Sequence, residues 1–117
     1  MAIRPYLRRA GRDLPGCFRP RRTAMEIGVL TLELHLSDAN SLKDKRQVIR
    51  SLREKLRTRF NCAVAEVDHN DLWQRGTVAV VAISNDHQHL QQMLEGISRE
   101  AEHILGGDLA NSSIEIL

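Results

Sequence analysis

From residue 25 onward the chain alternates between two hydrophobic periods. Residues 26–36 read EIGVLTLELHL. Leu30, Leu32, Leu34 and Leu36 fall on every second position, the period of a strand with one buried face. The opposite face carries Ile27, Val29, Thr31, Glu33 and His35; it is half apolar, so it too calls for a cover. Residues 37–40 form a turn. Beyond Ser41 the period lengthens, and Val48, Ile49, Leu52, Leu56 and Phe60 recur at helical spacing up to about residue 60. Ser41 followed by Asp44 has the layout of a capping box, with Asp in place of the longer Glu. Asn61 ends the helix. Residues 62–69 predict a second strand whose inward face is undecided between Cys62/Val64/Glu66 and Ala63/Ala65/Val67. Residues 70–76 connect it to TVAVVAIS, residues 77–84, which is apolar on both sides and so predicts a central strand. Asn85 or Asp86 caps a second helix with core positions Leu90, Met93, Leu94, Ile97, Ala101, Ile104 and Leu105. Gly106-Gly107 stops it. Residues 112–117 predict a short final strand.

Strand, helix, strand, strand, helix, strand is the split βαβ pattern. It predicts an α+β, ferredoxin-like βαββαβ sandwich: a four-stranded antiparallel sheet in the order 4-1-3-2, with both helices on one face. The uncovered face would show Ile27 and Val29 with either Val78/Val80 or Ala79/Val81. So much apolar surface predicts a homodimer, through that face or through an edge strand.

Residues 1–24 follow no such pattern. They hold all three prolines and seven arginines (Arg4, Arg8, Arg9, Arg12, Arg19, Arg21, Arg22) against one acid, Asp13. Three readings fit this basic leader: an over-extended start with Met25 as the true beginning, a disordered arm that contacts polyanions, or a transit peptide. The methionine at the composition break favours the first. Residues 25–117 are then a single domain.

Charge adds a further asymmetry. The chain nets +2, yet residues 41–60 carry eight basic residues and two acids. At 100° per residue, Lys43, Arg46, Arg50, Arg53 and Arg57 fall within about 80° of arc along a helix roughly 30 Å long. A row of planar guanidinium donors suits the phosphates of a nucleic-acid backbone, and each contact would release counterions. The plainer reading is a solvated helix face partly balanced by Asp44 and Glu54. No Phe or Tyr lies on a predicted strand, which argues against a sheet-face reader of single-stranded RNA.

The densest polar stretch is VAEVDHNDLWQRG, residues 64–76, which contains the only tryptophan, Trp73. The fold brings Asp68, His69 and Asp71 to the same sheet end as His35 and the start of the first helix. Turn capping by Asp and Asn, with Trp73 folded over the sheet end, accounts for it structurally. Partner contact through Trp73 and Arg75 is the functional alternative. No HxxH, HExxH or CxxC spacing points to a metal, and no nucleophile with its base is identifiable, so neither a catalytic residue nor a cofactor is expected. Two cysteines, Cys17 and Cys62, are too few for a disulfide-stapled secreted domain, and no apolar run would span a bilayer. A cytoplasmic protein is expected.

SLKDKRQVIRSLREKLRTRFN followed by VAEVDHNDLWQRG resembles the YlxP-like family of small bacterial proteins, over residues 25–117. Here Asp44 stands where that family usually has Glu. The resemblance implies a ferredoxin-like, often dimeric protein whose gene lies near translation-initiation and ribosome-maturation genes; it brings no established activity. Together these readings lead to a non-enzymatic factor associated with ribosomal RNA or a ribosomal subunit, contacting phosphates through Lys43, Arg46, Arg50, Arg53 and Arg57. The alternatives are a dimeric protein-interaction module with no nucleic-acid role and a small-molecule-binding regulatory domain.

Overall fold

The leucine alternation becomes the inner side of β1 (Glu26–His35), where Leu30 and Leu32 are fully buried. A computed structural model describes residues 25–117; the leader readings fall on residues outside the described ones. After β1 come α1 (Leu42–Arg59), β2 (Ala63–Asp68), β3 (Arg75–Ser84), α2 (His87–Leu105), a single 3-10 turn (Gly106–Asp108) and β4 (Leu109–Ile116). The sheet order is β2-β3-β1-β4 with every pair antiparallel, the expected 4-1-3-2 read from the other edge.

Register places Leu30 opposite Val80 and Leu32 opposite Val78, and all four are fully buried. Ile49, Leu52 and Leu56 of α1 join this cluster with Leu90, Leu94, Ile97 and Ala101 of α2, so both helical stripes cover the same face. Each fully buried Leu or Ile contributes about 1.5–3 kcal/mol of transfer free energy. Gly28 lies on that face under α2, where a Cβ would collide with Leu94 Cδ1; glycine lets the helix approach β1.

The undecided face of β2 resolves through the same core. Cys62 and Val64 pack against it and Glu66 points toward α1, while Val67 is 56% exposed. On the uncovered face Ile27 pairs with Ile83, Val29 with Val81 and Thr31 with Ala79, so Ala79/Val81 is the pair that faces outward. Val81 and Ile83 are 40% and 52% exposed. Polar groups border these rows on the β4 side, where Glu115 lies opposite Val29 and Ser113 opposite Thr31, and in the next row Thr77 Oγ1 donates to Glu33 Oε1 at 2.8 Å.

Of the two cap candidates, Asp86 caps α2, its Oδ1 accepting from Gln88 N at 3.0 Å. Two strands start early. β3 begins at Arg75, two residues before the expected residue 77. β4 starts at Leu109, three residues before the expected start, across a register shift opposite Glu33 and Leu34. Ala110-Asn111-Ser112-Ser113 has no apolar alternation to announce a strand; backbone pairing with β1 makes it one.

Candidate nucleic-acid interface

α1 begins as its capping residues require. Ser41 Oγ accepts from Asp44 N at 3.1 Å, and Asp44 Oδ2 accepts from Asn40 N at 2.9 Å. The Asp side chain thus reaches the residue before the cap, a variation on the reciprocal box.

One turn into the helix stands a residue that the periodicity reading missed. Lys45 is 1% exposed. Three oxygens surround its ammonium: Glu66 Oε2 at 2.8 Å, the His69 carbonyl at 2.6 Å and the Arg75 carbonyl at 3.3 Å. An ammonium has three N–H donors, and here its neighbours are one countercharge and two backbone acceptors. The two carbonyls flank the β2–β3 connection, so one side chain ties both ends of that loop to α1. His69 itself has φ 60°, a left-handed conformation that costs about 1–2 kcal/mol outside glycine. The bond from Lys45 and the bond from His69 N to Asp68 Oδ1 at 2.7 Å hold it there. Gln74 closes the loop onto the sheet end. Its carbonyl accepts from Leu36 N at 2.8 Å, and its Nε2 donates to the Ala39 carbonyl at 3.4 Å.

Lys45 also fixes the rotation of α1. Measured from its direction at 100° per residue, Ile49, Leu52 and Leu56 lie within about 40°, and Arg53, Arg46, Arg57, Arg50 and Lys43 lie at about 80–160° on one flank. Lys43, Arg46, Arg50 and Arg57 are exposed; Arg53, nearest the core stripe, is half-buried. Among the described residues none of the five has an ion-pair partner. The acids nearby are engaged or point elsewhere: Glu66 with Lys45, Glu100 with Arg59 at 3.0 Å, Asp44 with Asn40 N. Glu54 lines the cleft between α1 and α2. At the far end of the row, burial pushes the Cys62 thiol up and the charge of Arg57 pulls it partly back, so the thiol stays protonated at neutral pH.

Trp73 is 49% exposed and Leu72 40%, so Trp73 is not a buried lid; it stands out from a loop tethered at both ends. Arg75 is exposed, while its carbonyl is held by Lys45. His35 and His69 reach the same sheet end as expected, with His69 Nε2 3.9 Å from Asp68 Oδ2. Among the described residues no three His, Cys, Asp or Glu are grouped to hold a metal, and no helix is long and apolar enough to cross a membrane.

Residues 27–113 match the family described as "Protein of unknown function (DUF503)". The chain belongs to the DUF503 family. It is 30% identical over 71 residues to the uncharacterized protein YlxP of Bacillus subtilis (strain 168), an alignment covering 61% of this chain and 77% of YlxP. Among solved structures, a dimeric ferredoxin-like protein of unknown function from Thermobifida fusca is 16% identical with a TM-score of 0.53, covering 85% of this chain and 95% of that one. A putative antibiotic biosynthesis monooxygenase from Bordetella bronchiseptica is similar at 13% identity and TM-score 0.49, over 78% of this chain and 94% of its own. The likeness to the Thermobifida fusca structure supports the ferredoxin-like fold and no chemistry. For this DUF503 member the residues themselves must carry the functional argument.

Lys45 had a signal in the sequence: it sits four residues before Ile49 and seven before Leu52, on the apolar stripe, and Glu66 shares the inward face of β2. Lys45→Met should lower unfolding free energy by about 3 kcal/mol, because Glu66 is left with an uncompensated charge. Lys45→Met combined with Glu66→Leu should recover at least half of that loss. Urea unfolding of the three proteins measures both; a double variant no more stable than the single one contradicts the assignment.

Proposed function

We propose that this protein is a non-enzymatic, cytoplasmic RNA-associated factor, with ribosomal RNA or a ribosomal subunit as its partner. Contact runs through phosphates along Lys43, Arg46, Arg50, Arg53 and Arg57. One observation carries the reading: among the described residues these five cations share one helix flank and no carboxylate neutralises any of them. Such a row gives affinity without base recognition, because guanidinium groups meet the phosphates and released counterions drive binding. Trp73 stands on the tethered loop and Arg75 at the start of β3, both at the N-terminal end of the same helix, and in this reading they add a shape or partner contact.

A second copy of the chain covers the apolar sheet face. Ile27, Val29, Ala79, Val81 and Ile83 form a contiguous patch that meets its own copy isologously. The Thermobifida fusca neighbour, described as dimeric, is compatible with this arrangement. The helices lie on the opposite side of the sheet, so pairing through this face leaves both basic rows open.

Two measurements check these statements. Anisotropy titrations of a labelled single-stranded 12-mer RNA, from low to raised salt, should give a salt-sensitive complex. Arg46→Ala, Arg50→Ala and Arg53→Ala together should weaken it at least tenfold and flatten the plot of log K against log salt by about 2, at roughly 0.7 per phosphate contact. Equal affinity and equal slope in both proteins would remove the function assigned to the row. Sedimentation equilibrium should find a dimer that Val81→Glu converts to a folded monomer; a wild-type protein that sediments as a monomer rejects the pairing.

A further inference from the structure

We propose that the recess between α1 and the edge strand β2 is a seat for one phosphate group, held by Arg46, Arg50 and Arg53. The inference deepens the RNA reading and rests on it for the source of that phosphate. The recess has a volume of about 220 Å³ and is lined by Arg46, Ile49, Arg50, Arg53 and Glu66. The three arginines are four and three residues apart, so successive guanidinium groups enter from adjacent turns of one helix face. Ile49 gives the recess an apolar wall.

Arg53 distinguishes this site from a solvated row. Its Nε is buried, and among the described residues it finds no hydrogen-bond partner. A buried charged donor without an acceptor is costly, so the arrangement is complete only when an acceptor is supplied from outside the domain. The carboxylate in the lining does not meet the need. Glu66 Oε2 lies 2.8 Å from the Lys45 ammonium, which balances its charge; it is itself buried without a hydrogen-bond partner and does not bond Arg53 Nε. Three guanidinium charges remain uncancelled around one small volume. A tetrahedral oxyanion, with acceptor oxygens in several directions, fits three planar forks better than a carboxylate does. Lys43 and Arg57, outside the lining, act as flanking charges.

The test is NMR of the full chain labelled with ¹⁵N-arginine, following the side-chain Nε–H signals. Arg53→Lys assigns one signal by its loss, and Arg57→Lys assigns the control. Sodium phosphate is titrated against sodium chloride of matched ionic strength, and the single-stranded 12-mer RNA is titrated separately. The expected result is a saturable shift of the Arg53 signal with phosphate, a similar shift with RNA, and little movement at Arg57. Arg53→Lys should weaken phosphate binding, read from the remaining arginine signals, at least tenfold, and Arg57→Lys less than twofold. A saturable phosphate shift in a protein that does not bind RNA keeps the seat for a free phosphate compound and removes the polynucleotide reading. Salt-sensitive RNA binding with an Arg53 signal that moves only in step with ionic strength overturns the seat and leaves that reading standing.

Discussion

The ammonium of Lys45 is the point on which the remaining arrangement depends. It lies under the β2–β3 connection, with the Glu66 carboxylate and the carbonyls of His69 and Arg75 around it. Taking two charges out of water costs several kcal/mol each, and a well-packed apolar pair of the same size would hold the core at least as well. What the ion pair supplies instead is position. It joins helix, edge strand and loop at one atom, holds His69 in a left-handed conformation, and sets the angle at which α1 lies on the sheet. An apolar side chain at residue 45 would fill the volume without binding either carbonyl.

The two flanks of α1 follow from that rotation. One faces α2 across a cleft lined by Asp44, Gln47, Val48, Ser51 and Lys55. The other carries the arginines past the edge of β2, where Glu66 is the acid in reach and is already paired. The row is therefore unneutralised because of where Lys45 points, and not because acids are scarce: beyond residue 24 the chain has more acidic than basic residues. Arg53, nearest the core on that flank, is drawn partly inside, which is how its Nε loses both water and a protein acceptor.

Much of this was legible in residue order. The two hydrophobic periods gave the element order, and the doubly apolar segment 77–84 gave the central strand. Ser41 announced the first helix start and the Asn85-Asp86 pair the second, and Arg46, Arg50, Arg53 and Arg57 fell on one face by spacing alone. Three things were not legible, each for a physical reason. β2 alternates residues of similar polarity, so only its packing partner decides its inward face. The first residues of β4 have no apolar alternation and are strand because β1 pairs with them. Lys45 reads as one more surface cation until Glu66, twenty-one residues later, is seen to share its side of the core. The family, described as of unknown function, and the ferredoxin-like fold, which hosts many chemistries, leave function to these residue-level facts.

The most direct test of the central claim is amide hydrogen exchange of residues 69–75 in the wild-type protein and in Lys45→Met, under conditions where both are folded. If one buried ammonium orders the loop, the Leu72 amide, which donates to the His69 carbonyl, is protected in the wild type and exchanges at least tenfold faster in the variant. Amides at the centres of β1 and α2 then keep their protection apart from the change in global stability. Loop protection that falls only as far as global stability falls would contradict the account.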